Sequence, residues 1–185
     1  MKLYVICRRE PYIPGKEYHL PESGLSPHGE TYWSDTPLCD KDGRTNLGIA
    51  DTLTEHIFEQ IRLAEYPQMP SRFISTFAST AGYFPVWQSK LNADNCHPVF
   101  TIEAPIYYSL DGALLKCLGQ DEHGTTFFEP SFARACARLY WAGKSVRDYN
   151  EFAEAEVSSE MECLVQYPFT VISILSDEDL LLLLR

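Results

Sequence analysis

The chain contains 185 residues, of which 45% are hydrophobic and 13% aromatic, and this supplies the core of one domain. Its formal net charge is −11 and its basic residues form no stripe, so a passive nucleic-acid-binding surface is disfavoured. No segment approaches the roughly 18 consecutive apolar residues that a membrane-spanning helix needs.

The first predicted element is a central strand over residues 2–7, an apolar run that contains valine and isoleucine. Arg8 and Arg9 follow it. Because successive strand residues point to opposite faces, one of the two arginines is expected to point inward or along the functional face of the sheet. Residues 11–48 are rich in Pro, Gly, Ser and Asp, which predicts an extended loop with one short strand near residues 31–33.

The middle of the chain predicts a helix followed by a strand. Apolar residues recur at helical spacing over residues 47–66, opposite a polar face, and Pro67 ends the pattern. Residues 73–77 alternate apolar and hydroxyl side chains and are predicted as a strand. Ser79 or Thr80 is then expected to cap a short helix.

The second half of the chain predicts further strands and helices. A strand is expected over residues 99–104, with residues 106–110 as its continuation. Helical spacing returns over residues 132–141, and a short helix is predicted over residues 148–157. Acidic residues before the leucines at 180–184 predict a terminal helix that docks on the domain.

Glu160 and Glu162 stand before two predicted strands, residues 163–166 and 170–175, that flank a Tyr-Pro turn. Since the side-chain period of a strand is two, both carboxylates would project from one face if the strand already begins there. Two carboxylates on one face repel each other. They are found either at a solvated strand entrance or in a site that uses them, and both interpretations remain open.

The cysteines and the N-terminal residues indicate the cellular compartment in which the protein is expected. Six cysteines are spread along the chain without paired spacing, which is typical of a reducing environment. The first apolar run is also too short, and too soon followed by charge, for a signal peptide. We therefore expect a cytoplasmic protein that binds no membrane. No metal site is predicted, because Cys96-His97 beside Asp94 lacks a second ligand pair at zinc spacing.

Together the elements predict a single α+β domain over residues 1–185. The order of an arginine-bearing first strand, a Ser/Thr-rich middle strand and a late Glu-x-Glu resembles the mono-ADP-ribosyltransferase family of the Arg–Ser–Glu type. The resemblance implies split or mixed β-sheets flanked by helices. It also implies NAD as the substrate and a macromolecular acceptor, a protein rather than a nucleic acid.

In that family an arginine contacts the NAD phosphates and a Ser-Thr-Ser strand shapes the nicotinamide pocket. The second glutamate of Glu-x-Glu holds the nicotinamide ribose and stabilises its oxocarbenium-like transition state. The middle strand of this chain reads Ser-Thr-Phe instead. The resemblance implies that Arg8 or Arg9 contacts the phosphates, with Arg72 as the alternative. It implies that Ser75 and Thr76 shape the nicotinamide pocket. It also implies that Glu162 is the catalytic glutamate and that Glu160 orients the acceptor.

Other function classes can be weighed against this resemblance. The sequence has neither Gly-x-Gly-x-x-Gly nor Gly-x-x-x-x-Gly-Lys, so Rossmann and P-loop proteins lose their main support. The charge of −11 favours, as the alternative, a small acidic binding or inhibitor protein without catalytic activity. A plain α+β domain with structural glutamates is the third interpretation.

Overall fold

The central feature of the fold is a sheet divided into two parts. It is seen in a computed structural model that describes residues 1–33, 49–94, 96–116, 118–120, 126–148 and 158–184. The strands, in chain order, are β1 (Leu3–Ile6), β2 (Glu17–Tyr18), β3 (Thr76–Ala78), β4 (Val99–Glu103), β5 (Tyr107–Asp111), β6 (Leu118–Gln120), β7 (Thr126–Phe128), β8 (Met161–Val165) and β9 (Phe169–Ile174). The helices are α1 (Pro27–Trp33), α2 (Ile49–Glu65), α3 (Phe84–Leu91), α4 (Pro130–Trp141) and α5 (Asp177–Leu183).

Both parts of the divided sheet are antiparallel. One has the strand order β1-β4-β9-β2 and the other the order β3-β8-β5, while β6 and β7 form a separate hairpin. Tyr4 of β1 and Ser79, directly after β3, exchange two backbone hydrogen bonds of 2.9 Å. This bridge places the first strand beside the Ser/Thr-rich strand, which in turn pairs with β8.

Two apolar clusters divide the molecule into layers. One cluster contains Val5, Phe100, Val165 and Val171 and joins the two sheets. The other contains Leu164 of β8 and packs that strand against α2 and α4. Because side chains alternate along β8, Cys163 and Val165 face the other sheet, whereas Glu162 and Leu164 face the helices. The molecule is a single α+β domain.

Most predicted elements are confirmed to within a few residues, because their apolar periodicity is strong. They are the strands predicted at 2–7, 99–104, 163–166 and 170–175 and the helices predicted at 47–66 and 132–141. The helix expected after Ser79 and Thr80 also forms, but it begins at Phe84 and has no side-chain cap. Of the helix predicted over 148–157, residues 149–157 lie outside the described residues.

Two predictions in the N-terminal half are wrong. Residues 31–33 belong to α1 and not to a strand, because Ser26 Oγ accepts a 3.1 Å hydrogen bond from the Gly29 amide and caps that helix. Gly29 also lies so close to the 3₁₀ turn Arg72–Ile74 that a Cβ atom added to it would be 2.1 Å from the Phe73 carbonyl oxygen. The strand predicted at 73–77 is shorter, since Arg72–Ile74 form a 3₁₀ turn.

Two further predictions fail in the second half. Residues 107–111 do not continue β4 but form β5, which pairs with β8 in the other sheet. The terminal helix does not bury its leucines: Leu181 and Leu182 are 61% and 65% exposed. In the part of the chain that the structure describes, no helix combines the length and the apolar character needed to cross a membrane.

Candidate functional site

A network of charged and hydroxyl groups surrounds Arg72 between β8 and the helices. The guanidinium group binds Glu55 through Nε and Nη2, with distances of 2.8 and 3.0 Å to the two carboxylate oxygens. Its Nη1 donates to the Tyr140 hydroxyl at 2.7 Å and to Glu162 Oε1. The Tyr140 hydroxyl in turn donates to Glu162 Oε1 at 2.6 Å. We call Glu55, Arg72, Tyr140 and Glu162 the Arg72 cluster.

Four different elements deliver the members of the Arg72 cluster. Glu55 comes from α2, Tyr140 from α4 and Glu162 from the helix-facing side of β8. Arg72 begins the 3₁₀ turn that Ser71 caps by accepting a hydrogen bond from the Phe73 amide. The guanidinium carbon then lies 4.7 Å from the centre of the Phe77 ring, a cation–π contact that fixes its plane.

The charges of the Arg72 cluster are mutually stabilised. Burial alone lowers the pKa of Arg72, but Glu162 and Glu55 outweigh it and raise that pKa well above its ordinary value. Burial raises the pKa of Glu55, whereas Arg72 and His28 lower it to a net value of about 2. Burial raises the pKa of the Tyr140 phenol, so this hydroxyl stays protonated and donates its hydrogen bond.

His28 of α1 closes one side of the Arg72 cluster. Its Nε2 lies 3.3 Å from Glu55 Oε1, although the geometry there is too poor for a hydrogen bond. The imidazole ring packs against Tyr32 and Phe77, each with a centroid distance of 4.6 Å. His28 therefore supplies an aromatic wall and a nitrogen close to the cluster.

The low pKa of Glu55 predicts an acid-dependent loss of stability. A carboxyl group whose pKa is lower in the folded state stabilises the fold above its unfolded pKa, near 4.5, and this contribution is lost as pH falls toward about 2. The full contribution is about 3 kcal/mol. Urea unfolding at about pH 6 and about pH 3 should therefore show a smaller pH dependence for Glu55→Gln than for the wild type. Equal pH dependence in the two proteins would contradict this prediction.

A second charged group is centred on Glu160, directly before the first residue of β8. Glu160 contacts the ammonium groups of Lys90, from α3, and Lys116, which follows the 3₁₀ turn Gly112–Leu115. Burial raises the pKa of Glu160, but the two lysines outweigh it and lower the pKa below its ordinary value. Buried Asp111 fixes the backbone here, because its Oδ1 accepts hydrogen bonds from the amides of Glu160, at 2.8 Å, and Ala113, at 3.1 Å. We call Lys90 and Lys116 the lysine pair.

Gly112 lies beside the backbone of Glu160 and the side chain of Glu162. A Cβ atom added at this glycine would lie 3.1 Å from the Glu160 carbonyl oxygen, 3.4 Å from the Glu162 carboxyl carbon and 3.4 Å from the Trp87 ring. The absence of a side chain therefore lets the Glu160 backbone, the Glu162 carboxyl group and the indole approach one point. Trp87 is held there by a 2.8 Å hydrogen bond from its Nε1 to the Met161 carbonyl oxygen.

The residues predicted as phosphate contacts lie in two places. Arg72 binds Glu162 directly, whereas Arg9 donates to the Pro27 carbonyl at 2.9 Å and to Thr31 Oγ1 at 2.7 Å, both in α1. Arg8 is exposed. Burial raises the pKa of Tyr32, and the positive charge of Arg8 offsets part of that rise. Within the described residues, the structure gives neither Arg8 nor Arg9 a contact with Glu162.

The predicted pocket residues make structural hydrogen bonds. The buried Ser75 hydroxyl donates to the Ser71 carbonyl at 2.7 Å, and Thr76 Oγ1 donates to the Tyr167 hydroxyl at 2.7 Å. Thr76 pairs with Val165 and Ala78 with Cys163, so continuing this register places Ser79, not Ser75, opposite Glu162. Glu162 lies in β8, whereas Glu160 stands directly before Met161, the first residue of that strand, so the shared face of the two carboxylates stays a prediction.

Sequence reasoning missed Glu55, Tyr140, Lys90, Lys116 and Trp87 as members of the site. Tyr140 and Glu55 were recognisable only as residues of amphipathic helices, on the inner and the polar face respectively. Lys90 and Trp87 share one helix at a spacing of three, which places them on neighbouring positions of its surface. No local pattern indicates that these residues approach Glu160.

Fold and site together define an α+β protein that concentrates opposite charges where a split sheet meets its helices. A comparison with protein families matches residues 44–177 to a family described as proteins of unknown function, DUF2441. The chain belongs to that family. The matched segment contains the whole Arg72 cluster and the lysine pair. No curated protein matches the chain.

Proposed function

We propose that the protein is a mono-ADP-ribosyltransferase, which uses NAD to transfer ADP-ribose to a macromolecular acceptor, a protein rather than a nucleic acid. The observation that carries the proposal is the pair of buried glutamates at the start of β8, with Glu162 inside the strand and Glu160 directly before it. Glu162 is held by Arg72 and Tyr140, and Glu160 lies beside it. The split sheet, in which the arginine-bearing strand, the Ser/Thr-rich strand and the Glu-x-Glu strand are neighbours, supports the same proposal.

The chemistry requires a fixed negative charge at the sugar. When the bond between nicotinamide and ribose breaks, its electron pair leaves with nicotinamide and positive charge develops on the ribose. Among the described residues, both hydrogen bonds to Glu162 reach Oε1, so Oε2 is the oxygen we assign to the ribose. A carboxylate oriented in advance stabilises the developing cation without reorganisation during the reaction.

Transfer is completed by the acceptor. Its nucleophilic atom forms a bond to the ribose carbon and its proton passes to solvent, so that nicotinamide and the modified acceptor are the products. We assign the orientation of the acceptor to Glu160, which precedes Glu162 by two residues and has the more exposed side chain, at 11% compared with 6%. Arg72 then acts as a positioning residue for Glu162, because its guanidinium is already bound by two carboxylates.

The proposal is tested by incubating the protein with NAD labelled in its adenylate part, together with a cell lysate. We expect release of nicotinamide and label on protein that resists denaturation, and treatment of the lysate with nuclease should leave the label in place. Wild-type protein that neither binds nor cleaves NAD at millimolar concentration would contradict the proposal.

Replacement of Glu160 should separate transfer from hydrolysis. In Glu160→Gln the side chain keeps its volume but loses the charge, so the acceptor is no longer oriented while Glu162 still stabilises the ribose. We expect labelling of protein to fall about tenfold or more while slow release of nicotinamide continues, since water can replace the acceptor. The two products are measured in the same reaction. A parallel loss of both would contradict the separate role of Glu160.

An acidic binding protein is the second candidate. The first turn of α5 carries Asp177, Glu178 and Asp179, next to the exposed Leu181 and Leu182. Such a surface suits a partner with basic and apolar groups. Binding to a basic protein in the absence of any NAD turnover is the result that would favour this candidate.

A further inference from the structure

The lysine pair is an unusual feature of this acidic protein. Two ammonium groups from separate elements, α3 and the segment after the 3₁₀ turn Gly112–Leu115, are brought onto the single carboxylate of Glu160. Gathering two like charges costs electrostatic energy, and one glutamate neutralises only half of their charge. The nearby Asp111 directs its carboxylate to the backbone amides of Ala113, Val146 and Glu160.

The ammonium groups are accessible, whereas the carboxylate between them is not. The side chains of Lys90 and Lys116 are 36% and 57% exposed, compared with 11% for Glu160. Each ammonium group has three hydrogen-bond donors, so contact with Glu160 leaves donors for an anion that arrives from solvent. The arrangement presents positive charge outward.

Trp87 adds a flat surface beside these charges. The ammonium group of Lys90 lies 5.6 Å from the centre of the indole ring, and the ring is partly exposed. Its hydrogen bond to the Met161 carbonyl fixes the ring at the point where Gly112 also brings Glu162 close. An aromatic surface next to two cations suits a ligand that combines phosphate with a ribose or a base.

We propose that the lysine pair binds the diphosphate of a nucleoside diphosphate ligand and that Glu160 acts as its counterion when the site is empty. This inference rests on the proposed function for the identity of the ligand as NAD. In NAD the diphosphate is separated from the scissile bond by a single ribose, so its ligands must lie close to Glu162. The lysine pair is placed near Glu162 by its contacts with Glu160, two residues earlier in the chain, whereas Arg9 is occupied with α1.

Binding of the diphosphate has a consequence for Glu160. The diphosphate as a whole carries two negative charges and a carboxylate only one, so the diphosphate competes with Glu160 for the lysine pair. Glu160 is thereby released from the ammonium groups and becomes available to the acceptor. Occupation of the nucleotide site and exposure of the acceptor-orienting carboxylate are thus coupled.

Calorimetric titration with ADP-ribose and with inorganic pyrophosphate tests the inference, because neither probe requires cleavage. We expect the variant with both Lys90→Ala and Lys116→Ala to bind ADP-ribose at least about tenfold more weakly than the wild type. The corresponding Lys→Arg double variant should retain binding, which separates charge from folding. The matched control is the double variant Lys16→Ala and Lys144→Ala, which removes two exposed lysines elsewhere and should bind normally.

The double variant Arg8→Ala and Arg9→Ala tests the competing assignment, in which Arg8 or Arg9 contacts the phosphates. If this variant loses binding while the Lys90 and Lys116 variant keeps it, or if the wild type binds neither probe, the inference is overturned. Nicotinamide release is measured separately. If binding depends on the lysine pair but NAD is not cleaved, the inference stands and the proposed function is rejected. If the alanine double variant has an unchanged KM for NAD, the inference alone is rejected.

Discussion

Glu162→Gln should lower the rate of NAD cleavage by about 100- to 1,000-fold, the range typical of losing one oriented electrostatic group. Glutamine keeps the volume of the side chain and an oxygen that can accept from Tyr140, but it removes the charge that the ribose cation needs. Because this interaction forms mainly in the transition state, kcat and kcat/KM should fall together while KM changes little. Steady-state measurement of nicotinamide release provides both parameters.

A matched control separates this effect from a general loss of stability. Glu59 is also a buried carboxylate, and it binds Arg62 of the same helix with distances of 2.9 and 2.7 Å. Glu59→Gln therefore makes the same chemical change outside the Arg72 cluster and should lower the melting temperature without reducing turnover. Turnover by Glu162→Gln at the wild-type rate, with the control behaving as expected, would reject the catalytic assignment.

The orientation of Glu162 was predictable because it depends on a local rule. Alternation along a strand predicts that Glu160 and Glu162 share one face if the strand begins at Glu160, and the pairing of β8 with β3 and β5 fixes Glu162 against the helices. The helix over 47–66 was predictable for a similar reason, since its apolar spacing is regular over several turns. Local periodicity therefore determined the framework on which the site is built.

The partner of Glu162 depended on contacts that no local rule contains. Arg72 is separated from Glu55, Tyr140 and Glu162 by 17, 68 and 90 positions in the sequence. The polar face of α2, which an amphipathic pattern assigns to solvent, includes Glu55, and this residue is buried because Arg72 reaches it from the following turn. A hydrophobic period identifies polar positions, but it does not show which of them find a charged partner.

The strand predicted near residues 31–33 is an error of another kind, because the local signal for a helix was present in the sequence. Aromatic and β-branched residues there favoured a strand, yet Ser26 and Pro27 form a helix start in which serine caps and proline occupies the first turn. The capping residues are present in the sequence, but no helix was predicted within residues 11–48. α1 then carries His28 to Glu55, so this error also concealed one wall of the candidate site.

Arg72→Met should be the most destabilising single substitution in the Arg72 cluster. The methionine fills much of the volume, but Glu55 and Glu162 then remain as uncompensated charges in a buried site, and Tyr140 loses a donor. Breaking a buried ion pair from one side typically costs about 3–5 kcal/mol. Chemical denaturation of the variant and the wild type at neutral pH measures this difference.

Removing the two uncompensated carboxylates should restore much of the lost stability. In the triple variant Arg72→Met, Glu55→Gln and Glu162→Gln, no ionised group is left in the cluster, so the free energy of unfolding should recover by about 2 kcal/mol or more relative to Arg72→Met alone. Arg72→Lys should fall between the wild type and Arg72→Met, because one ammonium group supplies the charge without the planar fork that binds Glu55 through two hydrogen bonds. A loss below about 1 kcal/mol in Arg72→Met would show that the two carboxylates are not held by this arginine. In that case Glu162 would have no fixed orientation, and its assignment to the ribose would be rejected.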